Sequence, residues 1–172
     1  MGKRWTWVAW SMLAVFVVSV VLATILAVAD GSLQQDPANF VVYVLGFGAF
    51  MVVGALVVAH RPNNAIGWIF SAIALLAFTG GLAAEYATYA LVTRPGSLPG
   101  ATLGAWYASW PWYPTLALAL VFTPLLFPTG HLLSPRWRSL AWLAGAATAV
   151  FTVLAALKAD LGVAITTWVS IM

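Results

Sequence analysis

The chain has 172 residues, of which 63% are hydrophobic and only 6% are charged, and it contains no cysteine. So few charged side chains cannot cover the surface of a water-soluble domain of this size. The lack of cysteine excludes disulfides, thiol catalysis and cysteine-ligated metals, and seven scattered basic residues do not make a nucleic-acid-binding face. The composition predicts an all-α fold, a single polytopic bundle of transmembrane helices.

Long apolar runs separated by short polar turns predict five spans. We expect them at residues 5–29, 38–59, 66–92, 101–127 and 137–157. Each run is long enough to cross a hydrocarbon core of ~30 Å. The first is about twice as long as the apolar region of a signal peptide, which favours an uncleaved helix. The fourth should be kinked, because it contains Pro111, Pro114 and Pro124.

Residues 161–172 form a final apolar run. Twelve residues reach only ~18 Å as a helix, which is too short to cross the membrane. We expect this segment to be a stub, an interfacial helix or the start of a sixth span.

The distribution of cations predicts the orientation. Cytoplasmic loops of membrane proteins carry an excess of Lys and Arg. A cytoplasmic N-terminus places five cations inside (Lys3, Arg4, Arg61, Arg136 and Arg138) and only Arg94 and Lys158 outside. We therefore expect a multi-pass protein of the cytoplasmic cell membrane, with all four acids on the outer side.

Glu85 is the only acid inside a long apolar run, where a carboxylate is costly to bury. It falls about 28 Å along the third span, near its outer edge. One interpretation is an outward-facing polar pocket able to hold a cation or a polar head group, formed by Glu85, Tyr86, Tyr89, Arg94 and Lys158. The alternative is an ion pair of Glu85 with Lys158 or Arg94 that only joins helices.

A basic rim is expected on the cytoplasmic side, formed by Arg61, His131, Arg136 and Arg138. It suits anionic lipid head groups or a protein partner. His60 and His131 lie in loops without nearby acids and make a poor metal site, so we expect neither a metal nor another cofactor. No catalytic triad, carboxylate pair, zinc motif or phosphate loop is present, and we expect no enzymatic activity.

Several motifs occur in a recognisable order between residues 40 and 145. They are RPNNAIGWIF (61–70), EYATYAL (85–91), RPGSLPG (94–100), LFPTGHL (126–132) and SPRWR (134–138). This series resembles the multi-pass membrane region that precedes the kinase domain of actinobacterial and Chloroflexi-type sensor histidine kinases. The first motif is similar to the RPxNPIGWL pattern of that region.

The resemblance implies an N-terminal membrane sensor or anchor. Ala65 stands where the family usually has Pro, and Thr129 and His131 stand where Asp and Arg are commoner. No dimerisation helix, phosphoacceptor histidine or ATP-binding domain is present in these residues, so kinase activity is not implied.

We therefore expect a non-enzymatic, sensor-like or anchoring membrane module that acts through a partner protein or as a homodimer. The alternatives are an accessory subunit of a larger membrane complex, which binds lipid or pigment, and a small transporter. The tryptophans of the fourth span (Trp106, Trp110 and Trp112) suit an interfacial belt or, alternatively, a pigment groove.

Overall fold

The computed structural model describes residues 2–132 and 134–158, and every regular element within them is helical. The predicted alternatives for residues 161–172 lie outside the described residues. The elements are α1 (Gly2–Asp30), α2 (Ser32–Gln35), α3 (Pro37–His60), α4 (Ala65–Thr88), a π-helical turn (Tyr89–Thr93), α5 (Ala101–Ser109), α6 (Trp112–Ala117), a second π-helical turn (Leu118–Phe122), α7 (Thr123–Leu126) and α8 (Trp137–Lys158).

Within residues 2–132 and 134–158, four helices are long and apolar enough to cross a membrane. They are Arg4–Asp30, Pro37–His60, Ala65–Thr93 and Trp137–Lys158, and they match the first, second, third and fifth predicted spans. The all-helical class is therefore confirmed.

The fourth predicted span, at residues 101–127, is not one continuous helix, so the count of five spans is not confirmed. Its helix stops at Ser109 and restarts at Trp112. Pro111 stands at the break, where its missing N–H cannot continue the helical hydrogen bonds. After the break, the chain continues through α6, the second π-helical turn and α7.

Two contacts fix the path of this broken segment along α4. At one end, the Tyr86 hydroxyl donates a hydrogen bond to the Pro99 carbonyl, at 2.6 Å. At the other, the Asn64 side-chain amide donates to the Pro128 carbonyl, at 3.4 Å. Positions 64 and 86 lie about 33 Å apart on a helix. The segment therefore runs past almost the full length of α4.

The core lies between α1, α3 and α4. Phe16, Met51, Val58 and Phe78 are buried there, and the rings of Phe16 and Phe78 meet edge to face with centroids 4.7 Å apart. By contrast, α8 has no buried residue and packs mainly on α5 and α6. Its attachment includes a 2.7 Å hydrogen bond from Trp106 Nε1 to the Ala156 carbonyl. The described residues thus form a packed centre of α1, α3 and α4, the broken segment of α5, α6 and α7 along α4, and the peripheral helix α8.

Charges are divided between the two ends of the bundle. The Trp5 and Trp68 rings lie 5.7 Å apart, which brings the start of α1 to the α3–α4 turn. We call the end of the bundle where α1 and α4 begin the basic end. It carries Arg4, Arg61, Arg136 and Arg138. The opposite end, which we call the acidic end, carries Asp30, Asp36 and Glu85, together with Arg94 and Lys158.

Candidate functional site

Two aspartates shape the loop that covers the acidic end. The first helix ends at Asp30, and Gly31 reverses the chain at φ +87°, a conformation that glycine adopts without strain. Asp30 Oδ1 accepts a 2.8 Å hydrogen bond from the Ser32 backbone N–H. Asp36 then caps α3 by accepting a 3.0 Å bond from the Asn39 N–H, with Pro37 in the first turn. These local bonds hold α2 across the helix ends.

A cavity of about 110 Å³ lies beneath this loop, between α1, α3 and α4. This volume is enough for several water molecules or a small ligand. Its mouth is polar and its floor is apolar and aromatic. It is lined by Ala23, Ser32, Leu33, Gln35, Asp36, Asn39, Phe40, Tyr43, Phe78, Gly81, Leu82 and Glu85.

Glu85 is the acid that lies deepest in the wall of this cavity, and only 9% of its surface is exposed. Its Oε2 accepts a 3.3 Å hydrogen bond from the Ser32 hydroxyl. The backbone N–H of the same Ser32 donates to Asp30 Oδ1, so one serine bonds both acids. Asp30 Oδ2 is buried and has no hydrogen-bond donor among the described residues.

Tyr43 closes the floor of the cavity. Its hydroxyl donates a 2.8 Å hydrogen bond to the Ala77 carbonyl of α4, and its ring lies 5.1 Å from that of Phe78. The phenol oxygen keeps acceptor capacity. The floor is consequently a rigid aromatic surface with one hydroxyl.

The structure brings only Glu85, of the five predicted pocket residues, to this cavity. The Tyr86 hydroxyl is bound to the Pro99 carbonyl, and the Arg94 guanidinium lies 5.9 Å from the centre of the Tyr89 ring. Lys158 is exposed at the end of α8. Within the described residues, Glu85 has no ion pair with Arg94 or Lys158, and its hydrogen-bond donor is the Ser32 hydroxyl.

The four predicted rim residues all lie at the basic end and are exposed: Arg61, His131, Arg136 and Arg138. Two loops meet there. Asn64 caps α4 by accepting a 2.9 Å bond from the Ile66 N–H, and its amide nitrogen reaches the Pro128 carbonyl. The turn after α3 and the FPTGH loop thus form one continuous surface.

No metal-ligating cluster is seen in residues 2–132 and 134–158: they contain no group of three His, Cys, Asp or Glu side chains placed to hold an ion. The histidine at the end of α3, His60, is exposed and its Nδ1 lies 2.9 Å from the Leu56 carbonyl.

Comparisons with protein-family models, curated proteins and solved structures give no match. The likeness of the loop motifs to the membrane region of sensor histidine kinases therefore stays a prediction.

Sequence reasoning missed most of the cavity residues. Ser32 and Asp36 form part of its cover, and Tyr43 forms its floor. One signal was present, since the predicted topology placed every acid of the chain on one side. The aromatic floor gave no such signal, because an aromatic residue at helical spacing in an apolar span is usually ordinary core packing.

Proposed function

We propose that this protein is a non-enzymatic integral membrane module, sensor-like or anchoring, which binds a small ligand in the acidic-end cavity and acts through a partner protein. One observation carries the proposal: a carboxylate almost completely buried in an apolar helix lines a cavity that opens toward a loop. Ionisable groups within membrane-spanning helices are expensive and are usually functional.

The charge division supports a location in the cytoplasmic cell membrane with a cytoplasmic N-terminus. The basic end carries more Lys and Arg than the acidic end, as cytoplasmic loops do. The broken segment of α5, α6 and α7 runs beside α4, and we propose that it crosses the membrane as a fifth passage. This orientation makes the cavity face the outside.

The basic rim of Arg61, His131, Arg136 and Arg138 is the proposed contact surface for the partner. A single helix, α4, connects the two ends, with Asn64 at its start and Glu85 near its end. A shift of α4 on ligand binding would reach the FPTGH loop through Asn64. The motif resemblance to sensor kinases agrees with such an output.

Ligand entry is tested with a fluorescent bimane label on Gln34→Cys, beside the mouth of the cavity, in nanodiscs. The native chain has no cysteine, so the label is unique. We expect benzyl alcohol to change the fluorescence saturably, and Gly81→Leu to weaken this response because the new side chain occupies the cavity. If the fluorescence changes linearly with benzyl alcohol, and equally with and without Gly81→Leu, the alcohol only partitions into the lipid. That result contradicts ligand binding in the cavity.

The matched control is Gly46→Leu. Gly46 lies on α3, and a Cβ added to it would meet nothing within 4 Å. This variant adds the same side chain away from the cavity and should respond like the parent protein.

An accessory subunit of a larger complex is a second candidate. An apolar groove of about 470 Å³ between α1, α4 and α5 suits a lipid tail or a pigment, and it is lined by Leu22, Ile25, Leu26, Thr79, Leu82, Ala83, Tyr86, Leu98 and Gly104. Purification in mild detergent separates the candidates. Stoichiometric association with a large complex and bound pigment supports the second, whereas a small free assembly supports the first.

A further inference from the structure

We propose that the ligand of the cavity is a small, uncharged alcohol with an apolar body, whose hydroxyl group replaces the Ser32 hydroxyl as the hydrogen-bond donor to Glu85. This inference rests on the ligand-binding function proposed above and adds the chemical class of the ligand. It also gives Ser32 a role, since its hydroxyl occupies the position of the ligand hydroxyl until the ligand binds.

The bond between Ser32 and Glu85 shows which donor the cavity accepts. Both residues line the cavity, so a molecule that enters it meets the donor and the acceptor of this bond. The acceptor belongs to a side chain that is almost completely buried, and a buried polar group without a partner is costly. A hydroxyl group is thus the donor that the protein itself places on Glu85.

The Ser32 hydroxyl can leave Glu85 without losing its partner. Its single hydrogen has two acceptors within reach, because Oγ lies 3.3 Å from Glu85 Oε2 and 3.5 Å from the Ala27 carbonyl oxygen. Both distances exceed the range of about 2.5–3.0 Å that is usual for O–H···O bonds, so neither bond is strong. When a ligand hydroxyl donates to Glu85, the Ser32 hydroxyl turns to Ala27 and no group is left unpaired.

The loop that carries Ser32 need not move for this exchange. Its path is held by backbone donors, since the Ser32 N–H bonds Asp30 Oδ1 at 2.8 Å and the Asn39 N–H bonds Asp36 Oδ1 at 3.0 Å. Neither bond involves the Ser32 hydroxyl. Rotation of one side-chain hydroxyl is therefore enough to free an acceptor position on Glu85.

The rest of the wall selects an uncharged ligand with an apolar body. None of the described residues that line the cavity is Lys, Arg or His, whereas Asp36 and Glu85 are acids, so the wall repels an anion. A cation would have to give up its water in a largely apolar space, and a hydroxyl group loses much less. The floor of Phe40, Tyr43 and Phe78 packs well against apolar groups, and the volume of about 110 Å³ limits the ligand to a small molecule.

The test compares benzyl alcohol with benzyl methyl ether on labelled Gln34→Cys in nanodiscs. The ether keeps the ring and the oxygen but has no hydrogen to donate. Affinities are referred to the free aqueous concentration, because both probes partition into lipid. We expect benzyl alcohol to bind about fivefold to tenfold more tightly, which is the fold-change of one hydrogen bond. Glu85→Leu, which suits an apolar helix, should remove this preference and keep saturable binding of the ether.

Ser32→Ala tests the exchange itself. It removes the competing hydroxyl but keeps the backbone N–H that bonds Asp30. We expect the affinity for benzyl alcohol to rise about threefold, which is part of one hydrogen bond because Ala27 accepts the Ser32 hydrogen in the parent protein. The affinity for the ether should stay within about twofold. Ser32→Thr is the matched control, since it keeps a hydroxyl group and should behave like the parent.

Failures of the two proposals are distinguishable. Equal affinities for the two probes in the parent protein overturn the alcohol as the ligand but keep the cavity as a binding site. A preference that survives Glu85→Leu overturns Glu85 as the acceptor; should this variant not insert, a rise in Ser32→Ala for both probes alike has the same meaning. Unchanged binding in Ser32→Ala overturns the exchange. Loss of saturable binding for both probes in the parent overturns the ligand-binding function as well.

Discussion

At the scale of single residues, Gly130 joins the two loops of the basic end. It is buried and has φ +76°, which residues with a Cβ adopt only with strain. A Cβ at this position would collide with the Asn64 side chain and lie 2.6 Å from the Ala65 backbone nitrogen. Glycine is therefore required both by its conformation and by the close contact with the cap of α4.

We predict that Gly130→Ala destabilises the protein by more than the ~1–2 kcal/mol that a left-handed conformation costs a residue with a Cβ. The extra loss comes from displacement of Asn64. Thermal unfolding in detergent measures the effect. Gly96→Ala is the control, because Gly96 also has positive φ (+79°) but open space around its Cβ. Equal losses in the two variants would show that the contact with Asn64 contributes nothing.

At the scale of helices, α3 and α4 approach closely at two glycines, each of which faces the other helix. A Cβ on Gly54 would lie 2.6 Å from the Ser71 backbone nitrogen, and one on Gly67 would lie 2.8 Å from Val57 Cγ1. Small residues allow such close packing, which drives helix association in membranes. The contact sets the spacing of α3 and α4 at the basic-end half of the bundle.

We predict that Gly54→Ala and Gly67→Ala each cost about 1–3 kcal/mol, the usual range for overpacking. The comparison variant is Gly46→Ala on α3, whose Cβ meets nothing within 4 Å, and it should be neutral or slightly stabilising because alanine favours the helix. Reversible unfolding in mixed micelles measures the three values. If Gly46→Ala destabilises as much as Gly54→Ala, close packing is not the cause.

The peripheral position of α8 leads to a further prediction. Trp106→Phe keeps an aromatic ring but removes the 2.7 Å hydrogen bond to the Ala156 carbonyl. This should lower the local stability of the end of α8 by about 1 kcal/mol, seen as faster hydrogen exchange of its amides. Trp142→Phe alters a side chain that is 72% exposed and should change little. Unchanged exchange after Trp106→Phe would mean that this bond does not hold α8.

At the scale of the whole molecule, the division of charge predicts its orientation. The cysteine-free chain allows clean labelling of Ser97→Cys at the acidic end and Thr129→Cys at the basic end, both exposed. In intact cells we expect an impermeant maleimide to modify Ser97→Cys alone, and Thr129→Cys only after permeabilisation. The reverse pattern would turn the cavity to the cytoplasm and remove the proposed outward-facing site. The parent chain is the unlabelled control.

The sequence by itself determined the helical class, the bounds of four long apolar helices and the separation of basic from acidic turns. These features follow from hydropathy and from local signals such as Pro62 and Asn64, which act within a few residues. Glu85 was also singled out, since a lone acid in an apolar run is conspicuous.

Only the tertiary structure decided which groups meet. Ser32 and Glu85 are far apart in the chain, and their hydrogen bond depends on how the loop between α1 and α3 folds over the end of α4. The same holds for the break at Pro111 and for the Asn64–Gly130 contact. Side-chain proximity across helices depends on the rotation and depth of each helix in the bundle, which are set only when the helices pack.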